Sequence, residues 1–163
     1  SHMRTMFRLY KGHVDNLYYG RQYLTREFFD AVLNRFAQHL CLIFAERDGR
    51  IIAGTFNVRG DHVLYGRYWG SAGHEDSLHF EACYYQGIEF CLHNNIPLFE
   101  GGAQGEHKLA RGFLPHEIFS AHWLRHAEFG RAVADFLARE RNGLEYYLNE
   151  LNEHSPFKKE DET

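Results

Sequence analysis

The residues predict an α/β domain built on one mixed sheet, with antiparallel strands followed by a parallel strand pair and helices on both faces. Three observations carry that reading. First, the strand-length runs Cys41–Glu46, Ile51–Val58 and His62–Trp69 are separated by Asp48-Gly49 and Gly60-Asp61, pairs that favour two-residue hairpins. Second, Leu78, Ala82, Tyr85, Ile88 and Leu92 keep a helical period before the short apolar run Ile96–Glu100. A crossover of that length is what a parallel pairing needs. Third, Phe28, Phe29, Val32, Leu33, Phe36 and Leu40 repeat at helical spacing ahead of the strands, so another helix covers one face of the sheet.

Each element has its local reason. Phe7–Gly20 is aromatic and irregular, with a helix expected only around His13–Tyr18. Thr25 is a good N-cap for the helix that follows, and Glu27 sits favourably in its first turn. Gly66 and Gly70 interrupt the third strand where a bulge or a close backbone approach is expected. Ser71–Asp76 is a polar turn, Asp76 or Ser77 caps the next helix, and Asn94-Asn95 ends it. Gln104 to Arg111 can wind a short helix that Gly112 stops. His116–Trp123 alternates, with Phe119, Ala121 and Trp123 on one face and Ile118, Ser120 and His122 on the other, and reads as a further strand. Glu128–Arg141 is amphipathic through Phe129, Val133, Phe136 and Leu137, and Asn142-Gly143 is expected to break it before Leu144–Leu151. Ser1-His2-Met3 reads as a cloning remnant, residues 4–157 as a single domain and 158–163 as a frayed tail.

Composition narrows the classes. At 163 residues and 44% hydrophobic content the chain can bury a sizeable core. No apolar run approaches the roughly 18–20 residues of a membrane span. A net charge of -4 argues against a broad basic surface for nucleic acid, leaving a local cationic patch at Lys108 and Arg111. Cys41, Cys83 and Cys91 lack ligand spacing, so buried reduced thiols in a cytoplasmic protein are expected. Among 12 histidines, His107, His116 and His122 are the set that could converge on zinc, yet no H-x-x-x-H spacing supports it. His79 and Glu81 diverge by about 200° on a helix and cannot share a metal. No metal site is expected.

The densest chemistry lies in Phe99–Phe113, FEGGAQGEHKLARGF. It joins a strand end, a glycine turn and a short helix. On an α-helix Gln104, His107 and Arg111 share a face, with Lys108 beside them, just beyond the carboxyl end of a strand where open α/β sheets bind ligands. A structural ion pair between Glu100 and Arg111 is the duller alternative.

The runs GAQGEHKLARGF, LYGRYWG, LHFEACYYQ and SAHW resemble the FemAB-like family of peptidoglycan biosynthesis/recognition, a branch of the acetyltransferase-like (GNAT) superfamily. The resemblance extends from about Tyr23 to Phe157. Members are about twice this length with two acetyltransferase-like halves, and the chain resembles the second half, so a missing N-terminal half or an oligomer is an expected partner. The resemblance implies an acyl donor held where the third and fourth strands part, and transfer of an acyl or aminoacyl group to a small-molecule or peptide amine. Such transfer needs a base, oxyanion donors and an acid for the leaving group. Glu100, Glu106 or His107 is the candidate base, the backbone near Gly66 or Gly101-Gly102 the oxyanion site, and Tyr65 or Tyr68 the acid. Gln104, Lys108, Arg111, Glu81 and His79 are the candidate substrate-binding residues. The donor stays open between acyl-CoA and aminoacyl-tRNA. The usual pyrophosphate loop is not evident, because GSAGHEDSLHFE places Glu75 and Asp76 where they would repel phosphates. A non-catalytic module binding an anionic peptide or glycan is the alternative, and a metal-dependent hydrolase a third.

Overall fold

The computed structural model describes residues 2–102 and 105–157, with Glu106 described in its backbone only. Gln104 and the tail residues 158–163 lie outside the described residues. The chain groups into two compact units, Ser1–Ala103 and Gln104–Thr163.

The first unit contains helices α1 (His2–Asp15) and α2 (Arg26–Phe36), then strands β1 (Leu40–Arg47), β2 (Arg50–Arg59) and β3 (Val63–Ser71). A helical stretch follows in three parts: α3 (Leu78–Phe80), a π-turn (Glu81–Tyr85) and α4 (Gln86–His93). Strand β4 (Leu98–Glu100) completes a sheet of order β1-β2-β3-β4, in which only the β3–β4 pairing is parallel. The mixed sheet expected from the sequence is therefore present.

Turn chemistry sets the first hairpin. Asp48 and Gly49 have φ of 51° and 70°, the double left-handed geometry of a primed turn whose twist matches the strands. The second hairpin closes one residue later than expected: Gly60 N–H donates to the Val63 carbonyl at 2.7 Å, which leaves Asp61-His62 as the tip.

Alternation on the strands sends side chains to two cores. Leu40, Leu42 and Phe44 of β1 face the cluster of Met3, Met6, Tyr10, Phe29 and Phe56, which α1 and α2 cover. Cys41 and Ile43 face the opposite cluster of Leu64, Cys91 and Ile96, covered by α4. Helices thus lie on both faces. The helix expected at His13–Tyr18 instead runs from His2 to Asp15, and Met3 is buried at 2% exposure within the first core.

Two glycines set how closely α1 lies on the sheet. Gly54 and Gly70 are register partners on β2 and β3. A Cβ at Gly70 would collide with the Leu9 main chain, and one at Gly54 would stand 2.7 Å from the Phe44 ring. On the other face, a Cβ at Gly87 of α4 would stand 2.5 Å from the Phe99 ring of β4. Missing side chains let backbone and ring approach where a methyl would hold them apart.

The second unit holds a short 3-10 helix (Glu106–Arg111) and a long helix, α5 (Ala127–Glu153). Two expectations are corrected here. His116–Trp123 forms no strand, and Ile118, Phe119 and Trp123 are all exposed. Alternation describes only side-chain facing, and a strand also needs a partner edge for its N–H and C=O groups, which this segment lacks. Asn142-Gly143 does not break α5. One interior glycine costs only about 1 kcal/mol, and the period of Leu137, Leu144, Leu148 and Leu151 carries through it.

Candidate functional site

The site is organised by a bulge on β3. Phe56 pairs with Tyr68 while Asn57 pairs with Gly66, so Arg67 is the extra residue on β3. A bulge re-aims the side chains around it. Arg67 lies with its guanidinium 4.7 Å from the centre of the Tyr65 ring, and its Nη1 donates to the Gly66 carbonyl at 3.1 Å. Its Nη2 stands 3.9 Å from Glu100 Oε2 at the end of β4, where Glu100 is the register partner of Tyr65. A Cβ at Gly66 would stand in ordinary contact, 3.5 Å from the Glu100 carbonyl oxygen. Of the bulge or close approach expected at Gly66 and Gly70, the bulge is found next to Gly66 and the close approach at Gly70.

Beyond the bulge, Arg67, Tyr68 and Trp69 line one wall of a cleft of about 770 Å³, with His79 of α3 beside them. The opposite wall comes from α1 through Tyr10 and His13 and from the loop after it through Tyr19, Arg21 and Tyr23. That loop is tied down at one point, where the buried Tyr10 hydroxyl accepts from the N–H groups of Tyr23 and Leu24, both at 3.3 Å. Tyr19 and Tyr23 are 91% and 79% exposed. The lining therefore combines aromatic faces with guanidinium and imidazole groups.

Tyr68 is the predicted site residue best placed in this cleft. Its ring packs edge-on against Tyr10, with centroids 5.2 Å apart. Burial raises its pKa above the ordinary phenol value, and the neighbouring Tyr10 adds to the shift against the opposing Arg67. At neutral pH it is a phenol that can donate a proton. His79 also lines the cleft, with its ring edge-on to Trp69 at 5.3 Å and to Tyr84 at 5.5 Å. Glu81 is exposed and outside the cleft lining; its Oε1 accepts from Gln86 Nε2 at 2.9 Å, a five-residue step that suits the π-turn.

The remaining predicted residues belong to the second unit. His107 is exposed and Lys108 half-buried, and the His107 carbonyl accepts from Arg111 Nη1 at 2.7 Å. The expected shared face of Gln104, His107 and Arg111 assumed an α-helix. In a 3-10 helix residues three apart eclipse, so Lys108 and Arg111 align instead. Gly112 stops the turn with φ of 84°, as expected. Gln104 and the Glu106 side chain lie outside the described residues.

Near the helix start, Glu75 is neutralised by Arg47 of β1, whose Nη1 is 2.8 Å from Glu75 Oε1. Among the described residues no group of three or more His, Cys, Asp or Glu side chains could hold a metal ion. No helix among them is long and apolar enough to cross a membrane.

Sequence reasoning missed Arg67, Trp69, Arg21 and the tyrosines of the loop after α1. For Arg67 a signal existed. Glycine followed by a long cation inside an otherwise aromatic strand, LYGRYWG, breaks the alternation of a regular strand and marks a bulge. The loop tyrosines carry no comparable signal, because only tertiary packing brings them opposite β3.

Antiparallel strands leading into a parallel pair, a bulge beside that pair, and helices on both faces define an acetyltransferase-like α/β domain. The chain belongs to the FemAB-like family, described as peptidoglycan biosynthesis/recognition, whose model matches residues 1–159. No curated protein matches the chain significantly.

Proposed function

We propose that the domain transfers an acyl or aminoacyl group to an amine of a cell-wall-type peptide, with the acceptor held in the cleft between α1 and β3 so that its ammonium reaches past Arg67 to Glu100, which stands outside the cleft lining. The observation that carries this is the β3 bulge, which presents Arg67 and Tyr68 on the cleft wall while Arg67 also engages Glu100 across the parallel pair. In the transfer, Glu100 takes a proton from the acceptor ammonium and the amine attacks the donor's carbonyl carbon. The bond to the leaving oxygen or sulfur then breaks as Tyr68 protonates the leaving atom, and the second proton shed by the attacking nitrogen restores the Tyr68 hydroxyl. Arg67 holds a carboxylate or phosphate of either substrate. Taken by itself, the second unit offers Lys108 and Arg111 as candidate contacts for a carboxylate or phosphate.

The test is a mass-spectrometric search for acylated product with amine-bearing cell-wall peptides, run against panels of acyl-CoA and aminoacyl-tRNA donors. Glu100→Gln should lower the rate by about 10²- to 10⁴-fold, the range for a general base, and Tyr68→Phe by a smaller factor. Product formation at the wild-type rate in both variants would remove Glu100 and Tyr68 from the chemistry.

A second reading is favoured by the exposed Tyr19 and Tyr23 beside Arg21 and Arg67. Aromatic faces stack on sugars and guanidinium groups grip carboxylates, which suits a recognition module for an anionic glycan or peptide. It predicts saturable, salt-sensitive binding of muropeptides without turnover, abolished by Arg67→Ala.

A further inference from the structure

We infer that Arg21 and Arg67 act as the two jaws of one anion clamp, so that the cleft selects a ligand carrying two separate anionic groups, and that Arg21 sets this selectivity. The inference rests on the cleft being the substrate site, and goes beyond both readings above, neither of which fixes how many anionic groups the ligand carries. Among the described residues the lining holds the guanidinium groups of Arg21 and Arg67 and the imidazoles of His13 and His79, and no aspartate or glutamate. Yet the chain as a whole has a net charge of -4, so carboxylates are plentiful elsewhere. Those that flank the lining residues in the sequence are already engaged: Asp15 accepts from Lys11, Glu75 faces Arg47 and Glu81 accepts from Gln86. The cleft is therefore a positive concavity between aromatic walls, a shape that focuses the field on an entering anion. An ammonium group finds no carboxylate in the lining and two guanidinium groups that repel it, which is why a reacting amine has to lie beyond it.

The two arginines are held by different elements, and each is held in place. Arg21 lies between two fixed points of the loop after α1. On one side Gly20 N–H donates to the Leu17 carbonyl at 2.8 Å, and a Cβ at Gly20 would stand 1.9 Å from the Val14 carbonyl oxygen, so only glycine lets the loop fold this tightly on the end of α1. On the other side the Tyr23 N–H donates to the Tyr10 hydroxyl at 3.3 Å. Arg21 itself is exposed and, among the described residues, forms no ion pair. Arg67 is set by the bulge and meets Glu100 only at 3.9 Å. A ligand with one anionic group can engage one of these guanidinium groups at full strength and leaves the other to water. A ligand with two engages both, and the faces of Tyr19, Tyr23 and Trp69 cover the link between its charged ends. Because both cations are positioned before the ligand arrives, little of the second contact is lost to ordering.

Titration calorimetry of the full chain at low salt with three blocked tripeptides isolates the charge count. The probes are acetyl-Glu-Ala-Glu-amide, acetyl-Gln-Ala-Glu-amide and acetyl-Lys-Ala-Lys-amide. The diacid is expected to bind at least about tenfold more tightly than the monoacid, the factor that one charge-assisted hydrogen bond supplies, and the dibasic peptide not to bind. Arg21→Gln should bring the diacid down to the affinity of the monoacid with an unchanged circular dichroism spectrum, and Arg21→Lys, which keeps the charge without the fork, should restore part of the difference. Equal affinity for diacid and monoacid overturns the inference. So does uptake of the dibasic peptide, a diacid advantage that survives Arg21→Gln, or a chain that binds none of the three. A diacid preference in a chain that forms no acylated product supports the clamp and removes the transferase reading. Acylated product formed equally well on amines bearing one and two carboxylates does the reverse.

Discussion

Cys41 shows how a residue's environment decides its chemistry. Its thiol is buried between Leu64, Cys91 and Ile96, and burial, with a smaller contribution from Cys91, pushes its pKa from 9.0 up to about 11. A thiol held neutral is a poor nucleophile, so Cys41 should resist alkylation at pH 8 in the folded chain while the half-buried Cys83 reacts first. The same shift has a stability consequence. Because the folded value lies above the unfolded one, the contribution is complete below pH 9 and is lost as the pH rises toward 11. The loss is on the order of 2 kcal/mol. Denaturant titrations of wild type and Cys41→Ala across that window should show a steeper decline in the wild type, and parallel curves would remove the argument. Glu100 contrasts with this. It is about as exposed as its partner Arg67, and an ion pair 3.9 Å long between such groups adds little to stability. Replacing Glu100 should therefore affect activity far more than folding.

At the scale of the element, β3 carries the architecture because its residues serve three neighbours at once. Gly70 admits the main chain of α1, Val63–Tyr65 pair with β4, and the bulge at Arg67 between them shapes the cleft wall. Gly70→Ala should thus destabilise the protein by on the order of 3 kcal/mol, since the clash is with helix backbone that cannot rotate away. Equilibrium urea unfolding would register this as a lower midpoint, and a midpoint within error of wild type would show that α1 can lift off without cost. Most of this element was legible in the sequence. Strand limits, the Asp48-Gly49 hairpin, the parallel fourth strand and the importance of Gly66 and Gly70 follow from turn chemistry and period, which are local properties. The failures have the opposite character. His116–Trp123 alternates like a strand, yet pairing depends on an edge that alternation does not encode. The turn from Glu106 to Arg111 was given the wrong pitch because 3-10 and α-helical turns share the same residue preferences. Of the expected site residues, Tyr68 and His79 line the cleft and Glu100 stands outside its lining, paired with Arg67. Arg21, Tyr19 and Tyr23 were not legible, because the fold alone carries them to the cleft.

For the whole molecule, burial is distributed unevenly. Both core clusters, and every residue of the buried apolar core from Met3 to Ile96, lie in the first unit, while the long helix of the second unit buries nothing. A helix without tertiary burial is only marginally stable in water, because nucleation is unfavourable and little beyond propensity opposes fraying. Amide hydrogen exchange should therefore divide the chain. Amides of β2 and of α1 should exchange slowly and independently of protein concentration, since their protection comes from packing within one copy. Amides of α5 between Val133 and Leu148 should exchange faster than those of β2, because Val133 and Leu148 are only half-buried and the helix has no buried residue. Protection of α5 equal to that of β2 in dilute solution would mean that the helix draws its stability from its own chain, and the unequal division of burial would then not govern its dynamics.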